Sequence, residues 1–273
     1  MDLDAYLDRI GYSGDRSPTP ATLAGIIAGH AASIPFEAID VLLGKGIDTA
    51  PEPVFDKLVT RRRGGYCFEQ NGLMMRSLAA LGFSVEPRLA RVLWMRPADA
   101  PPARATHMAL KVRIDGRDWL ADAGFGNGTP TAPLAFDTSE PQTTPLETFH
   151  LRPTDDGPVL EISIAGKWAP VYGIIDRVPS EADLAEANLF TSTHPESRFV
   201  RDLMLARATT EARFLLLGNR LMTRRAKGGA DVRTFESAET LAEALRTVFG
   251  LDVPPDWHPL LERFIHPEGE TAR

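Results

Sequence analysis

Arg63-Gly64-Gly65-Tyr66-Cys67-Phe68-Glu69-Gln70-Asn71 holds the only cysteine of the chain, and its reading decides how the rest is organised. Ahead of it Val54, Phe55, Leu58 and Val59 recur at helical spacing until Gly64-Gly65 interrupt them. After it Met74, Leu78 and Leu81 resume the same period up to Gly82. Cys67 is therefore predicted to open a helix. Unpaired N–H groups and the macrodipole at a helix N-terminus favour an anion, so a thiol placed there ionises more readily and becomes a better nucleophile. A lone cysteine is otherwise a small buried hydrophobe; the Gly-Gly break is what points to chemistry.

Outward from this stretch, Leu3, Tyr6, Leu7 and Ile10 mark one amphipathic helix ending at Gly11, and Leu23, Ile26 and Ile27 mark a second ending before Pro35. His30 falls on a face of that second helix. From Ser84 the period changes to that of strands, with a Pro/Ala-rich loop at 97–105. Short strands are expected around Phe149–Leu151, Val159–Ile164 and Trp168–Tyr172, as in a small barrel. Ser180 caps a predicted helix through about Ala187, and 188–195 reads as a polar loop. A strand meander over 203–225 turns at Gly218-Asn219, a helix follows the cap Ser237, and a short apolar segment with Leu260 and Leu261 precedes a polar tail.

The hairpin signal Asp115-Gly116 permits a geometric argument. If these are its two loop residues, Ile114 pairs with Arg117 and Ala109 faces Asp122. His107, two residues from Ala109, is then on the same face as Asp122 and its diagonal neighbour, roughly 7–8 Å away at the backbone. A three-residue loop would put them on opposite faces. A carboxylate on one ring nitrogen fixes the tautomer and stabilises imidazolium, leaving the other nitrogen for a thiol proton, so Cys67, His107 and Asp122 are the candidate nucleophilic triad. Taken singly, His107 is an ordinary strand-edge residue and Asp122 an ordinary turn acid; their shared face gives them weight. Ala123-Gly124-Phe125-Gly126-Asn127-Gly128 follows directly, a glycine loop able to approach a ligand and to form an anion-binding nest, though it matches no nucleotide fingerprint.

The composition, 43% hydrophobic and 25% charged over 273 residues, is that of an ordinary globular chain. A formal charge of −7 argues against general nucleic-acid binding, while leaving room for a locally positive cleft. Arg61-Arg62-Arg63 beside the cysteine reads more readily as a solvated or ion-paired run than as part of such a cleft. The chain shows neither a transmembrane run nor a leader, and one cysteine excludes an internal disulfide, so the cytoplasm is the expected location. The histidines His30, His107, His150, His194, His258 and His266 show no metal-ligand spacing, and no metal is expected.

The motif around Cys67 resembles the active-cysteine motif of the arylamine N-acetyltransferases. Ile34-Pro35-Phe36-Glu37-Ala38-Ile39-Asp40-Val41-Leu42-Leu43-Gly44 is similar to their N-terminal motif, Thr106-His107-Met108 to their histidine strand, and Asp122-Ala123-Gly124-Phe125-Gly126 to their aspartate and glycine loop. Residues 188–197 resemble a loop common in bacterial members. The resemblance spans about residues 1–225 in the family's order. It implies an α+β protein: an N-terminal helical bundle over 1–83, a central β-barrel over 84–188 and a C-terminal α/β lid over 189–273, with a papain-like Cys-His-Asp site. It also implies ping-pong transfer from acetyl-CoA through a Cys67 thioester to an arylamine, arylhydroxylamine or hydrazine, in xenobiotic metabolism, by a monomer or homodimer. Gly124, Phe125, Gly126, Asn127 and Gly128 are the implied cofactor loop, and Phe36, Phe125 and Phe199 the implied acceptor walls. Asn127 departs from the glycine often found at its position. Two other readings fit the same motifs: an amide synthase fed by a polyketide carrier, and a binding protein that has lost turnover.

Overall fold

The computed structural model describes residues 1–97 and 99–265; His266 and the polar tail lie outside them. Helices α1 (Leu3–Ile10) and α2 (Pro20–Ser33) form where the apolar spacing predicts. Asp2 and Thr19 accept from the first-turn amides as N-caps, and Gly11 closes α1 at φ 67°. The chain then makes a two-residue strand, β1 (Phe36–Glu37), and two short helices, α3 (Ile39–Leu42) and α4 (Pro51–Phe55). A π-helical turn over Asp56–Thr60 follows before α5 (Cys67–Ala80).

Gly64-Gly65 do not act as the helix stop that the sequence suggests. The preceding helix ends at Arg61, with Arg62 in the left-handed region at φ 52°. The glycines serve close approach instead: a Cβ on Gly65 would sit 2.8 Å from a Glu69 carboxylate oxygen, and one on Gly64 would run into the Pro35 carbonyl. This lets Gly65 bridge Phe36, with Glu37 N–H donating to Gly65 O at 3.0 Å.

Strands β2 (Ser84–Val92), β3 (Ala105–Ile114), β4 (Arg117–Ala121), β5 (Leu134–Ala135), β6 (Gln142–Thr143), β7 (Thr148–Arg152), β8 (Val159–Ile164) and β9 (Lys167–Ile174) form the central barrel. Their order is β5-β4-β3-β2-β9-β8-β7-β6, antiparallel throughout. The two edges meet through one side chain. The Gln142 amide accepts from Ala135 N–H at 2.7 Å and donates to Ala135 O at 3.0 Å, doing for β5 and β6 what a strand backbone would. Phe149, Leu160, Ile162, Val171 and Tyr172 fill the interior, while Leu89, Met108, Leu110 and Val112 face the helical core.

After the barrel comes α6 (Glu181–Thr193), longer than predicted: 188–193 is helix, not loop, and α6 continues through the 188/189 division read from the sequence. The Ser180/Asp183 capping box starts it, and Thr191, Ser192 and Thr193 hydroxyls donate to carbonyls one turn back. Polar residues that suggest a loop are thus satisfied inside a helix until Pro195 stops it.

A second sheet combines β1 with β10 (Met204–Ala208), β11 (Ala212–Leu217), β12 (Arg220–Arg225) and β13 (Ala230–Thr234), the last an exposed edge that the sequence reading misses. Helices α7 (Ala238–Thr247) and α8 (His258–Ile265) cover one face through Leu241, Leu245, Leu260 and Leu261. No helix of the described residues is long and apolar enough to cross a membrane.

The entry to α5 is fixed by charges. Arg63 contacts Glu37 at 2.8 Å and Asp40 at 3.3 Å, and Lys57, from the π-turn, contacts Asp40 at 2.8 Å and Glu69 at 2.7 Å. Arg63 also lies over the Trp257 ring at 4.5 Å. Arg61, by contrast, pairs with Asp56 at the exposed surface. Because Glu37 is fully buried, Glu37→Gln is expected to cost about 3–5 kcal/mol by leaving Arg63 under-compensated. Thermal unfolding checks this; an unchanged midpoint would make the pair energetically idle.

Candidate active site

Tyr66 is extended, so Cys67 begins α5, and Tyr66 N–H donates to Glu69 Oε2 at 3.1 Å in the first turn. Gln70 donates to the carbonyls of Ile34, Pro35 and Gly65, tying α5 to the strand that crosses it. Its acceptor oxygen meets His30 at 2.6 Å, and His30 in turn meets the Tyr6 hydroxyl. The helix-face histidine of the sequence reading is thus fully buried, and burial pushes its pKa down to about 4.

The β3–β4 hairpin has the predicted two-residue loop. Asp115 and Gly116 have φ of 50° and 79°, as a type I′ turn requires, and Ile114 pairs with Arg117. His107 and Asp122 emerge on one face, inside the barrel mouth, and His107 Nε2 lies 2.8 Å from Asp122 Oδ2. Both are buried, as is Cys67. The other imidazole nitrogen is not taken by Asp122, and Cys67 is near enough for its charge to favour imidazolium, while the thiol itself donates to Thr106 O at 3.8 Å.

Asp122 accepts four hydrogen bonds. Oδ2 takes His107 and the Tyr172 hydroxyl at 2.9 Å; Oδ1 takes Asn71 Nδ2 and Gly124 N–H, both at 2.8 Å. Burial alone would raise its pKa, but the His107 charge and these donors hold it below the usual carboxylate range. For His107 burial works the other way, disfavouring imidazolium; the Asp122 carboxylate outweighs it, with Cys67 adding to it, and the pKa is raised. The arrangement can keep a charged imidazole beside a sulfur at neutral pH and shuttle a proton to and from it.

Asn71 and Tyr172 are members the sequence reading leaves out. Asn71 lies one helical turn after Cys67 on the same face, a spacing that could have flagged it. It also accepts from Ala123 N–H at 2.9 Å, fastening the glycine loop to α5. Tyr172 comes from β9 and carries no local signal. Gly124 approaches so closely that a Cβ there would be 2.7 Å from Cys67 Cα.

The loop's amides are less free than a nest needs: those of Ala123, Gly124 and Gly126 already donate to Asn71, Asp122 and Thr129 Oγ1. Asn127 accepts from Arg224 at 3.4 Å, and a Cβ on Gly128 would lie 3.2 Å from the Phe125 ring. Among the proposed acceptor walls, Phe36 and Phe199 pack together at 5.9 Å, and Phe199 meets Tyr66 edge-on at 5.8 Å. Phe125 stands apart from that pair, 5.1 Å from His107 and 5.2 Å from Tyr172. Asn188 of α6 accepts from the Tyr66 hydroxyl, so α6 is tied to the residue preceding Cys67.

A groove of about 620 Å³ lies elsewhere, between the Asp115-Gly116 turn and Asp176. Glu239, His258 and Glu262 approach one another on α7 and α8, but all three are solvent-accessible and both ring nitrogens of His258 face carboxylates. His258 is thus a surface histidine lying between two carboxylates, 3.0 Å from Glu239 and 3.8 Å from Glu262.

A helical region with a buried cysteine at the start of α5, packed on a barrel that carries a bonded His–Asp pair, makes this an α+β protein. Residues 19–257 match the N-acetyltransferase family. The arylamine N-acetyltransferase of Mycolicibacterium smegmatis is 41% identical over 256 residues, 93% of each chain. Among solved structures, the arylamine N-acetyltransferase from M. tuberculosis superposes with a TM-score of 0.92 at 38% identity, covering 97% of this chain and 100% of that one. That of Mycobacterium marinum, in complex with CoA, gives 0.91 at 39%, covering 97% and 98%. The chain belongs to the arylamine N-acetyltransferase family and is an acyltransferase.

Proposed function

We propose that the protein acetylates arylamine nitrogen by a ping-pong route through Cys67, with acetyl-CoA as donor and arylhydroxylamines and hydrazines as further acceptors. The observation that carries this is the bonded Asp122–His107 pair set against the thiol at the start of α5. His107 takes the Cys67 proton, and the thiolate attacks the thioester carbonyl. The tetrahedral intermediate expels the coenzyme thiolate, which leaves with the proton from imidazolium. The acceptor amine then attacks the acetyl-cysteine; His107 removes its proton and returns one to the departing Cys67 sulfur, giving the amide. Asp122 holds the imidazole throughout.

Gly124 to Gly128 are assigned to the donor, and Phe36, Phe125 and Phe199 to the acceptor. Support for the substrate classes comes from the relative solved in complex with CoA, and from a Salmonella relative, 33% identical, named as both an arylamine N-acetyltransferase and an N-hydroxyarylamine O-acetyltransferase. A chain whose single cysteine is the nucleophile suits a reducing compartment, and we place it in the cytoplasm. Intact-protein mass spectrometry after incubation with acetyl-CoA alone tests the proposal. One acetyl group on Cys67, discharged by an arylamine, is expected. An unmodified protein, or an adduct that persists in Cys67→Ala, would overturn it, and modification only by a carrier-bound acyl chain would favour an amide synthase.

A further inference from the structure

We propose that Arg213 is a positioning residue for the acetyl donor, holding the outer half of the glycine loop independently of the triad. This rests on the donor assignment made above. Arg213, from β11, is completely buried. One edge of its guanidinium forks onto Glu147, Nε to Oε1 at 2.9 Å and Nη2 to Oε2 at 2.8 Å. The remaining N–H groups clamp the loop backbone, Nη1 donating to Gly126 O at 3.1 Å and Nη2 to Thr129 O at 2.8 Å. Lysine, a point charge on a flexible stem, cannot reproduce two forks at once.

The loop therefore has two separate anchors. Residues 122–124 are fixed from α5 and β9, by Asn71 and Tyr172, and by the fit of Gly124 against Cys67. Residues 126–129 are fixed from the second sheet by Arg213, supported by the Thr129 hydroxyl that accepts from Gly126 N–H. Charge singles out the donor as the ligand affected. Arg224 joins the cluster, contacting Glu147 at 3.2 Å and Asn127 at 3.4 Å, with its buried Nε unpartnered. Two arginines against one glutamate leave a formal charge of +1 behind Asn127. A phosphate-bearing coenzyme gains from that charge, whereas a neutral arylamine does not.

The test is a split between saturation and chemistry. In Arg213→Lys, the acetyl-CoA concentration giving half-maximal acetylation of Cys67 should rise about tenfold, while the plateau rate stays within about threefold. Alkylation of Cys67 by iodoacetamide, too small to need the outer loop, should be unchanged. Glu147→Asp, which keeps the charge but draws the carboxylate back from the fork and leaves Arg213 on the backbone, should show the same split at about threefold, and it decides the matter should Arg213→Lys fail to fold. Unchanged half-saturation, or plateau rate and alkylation falling together, would overturn the assignment. A wild-type protein that forms no acetyl-enzyme would instead sink the donor reading beneath it.

Discussion

His107→Ala is expected to abolish acetylation of Cys67, lowering the acylation rate by at least about four orders of magnitude. One imidazole nitrogen is committed to Asp122 at 2.8 Å and the other is left to exchange a proton with nearby Cys67, so truncation removes the proton acceptor and the cationic neighbour of the sulfur together. Asp122 would keep Asn71, Gly124 and Tyr172 as donors, so the barrel mouth should hold its shape. Stopped-flow measurement of acetyl-enzyme formation, with circular dichroism to establish folding, reads the effect. A folded variant that acylates at the wild-type rate would reduce His107 to a buried strand histidine.

The pairing of His107 with Asp122 was legible because a two-residue turn fixes register, and register fixes which side chains share a face. Asp115-Gly116 is a local signal with a non-local consequence. The helix starting at Cys67 was legible for the same kind of reason, since apolar periodicity stops and restarts around it. The identity of the glycines was legible but their purpose was not: the close packing of Gly64 on the Pro35 carbonyl joins chain segments that no sequence window brings together. The π-turn that directs Lys57 toward Glu69 has no recognisable signature.

What stayed hidden is mostly long-range and polar. Arg213 and Glu147 are 66 residues apart, and Tyr172 and Asp122 are 50 apart. The first partnership follows from how two sheets meet and the second from how one barrel curls on itself, neither of which propensity and period encode. The misread segment 188–193 failed for a different reason: Thr, Ser and Asn favour caps and turns on average, yet here the Thr191, Ser192 and Thr193 hydroxyls fold back on the helix itself. Asn188 shows what that helix is for, reaching from α6 to both the Tyr66 hydroxyl and Ile47 O.

Asp122→Asn is expected to keep the fold and slow acylation roughly 10²- to 10³-fold, less than the roughly 10⁴ lost on the equivalent change in a serine-protease triad, because a thiol is more acidic than a hydroxyl. The amide has two orientations. With its NH₂ toward Asn71 and Gly124 it would face two fixed donors; turned the other way it faces Tyr172, whose hydroxyl can rotate to accept, and His107, which can accept only by changing tautomer. The second orientation wins, and it puts a proton on the nitrogen that should receive one from Cys67. The charge state changes as well. His30, buried with no carboxylate partner, has its pKa pushed down to about 4, and that direction is expected for His107 once Asp122 is neutral. In the wild type the raised pKa of His107 contributes stability that is complete below its ordinary value of 6.5 and is lost as pH rises through the raised one. The lowered pKa of Asp122 contributes stability present above its ordinary 3.8 and lost as pH falls through the lowered one. The stability gap between wild type and variant should therefore be widest between these two ordinary values and close in acid and in alkali. Denaturant unfolding across pH, with NMR titration of the His107 ring and stopped-flow acylation, measures all three effects; a variant whose His107 still titrates above 6.5 and acylates within about tenfold of wild type would leave Asp122 as packing alone.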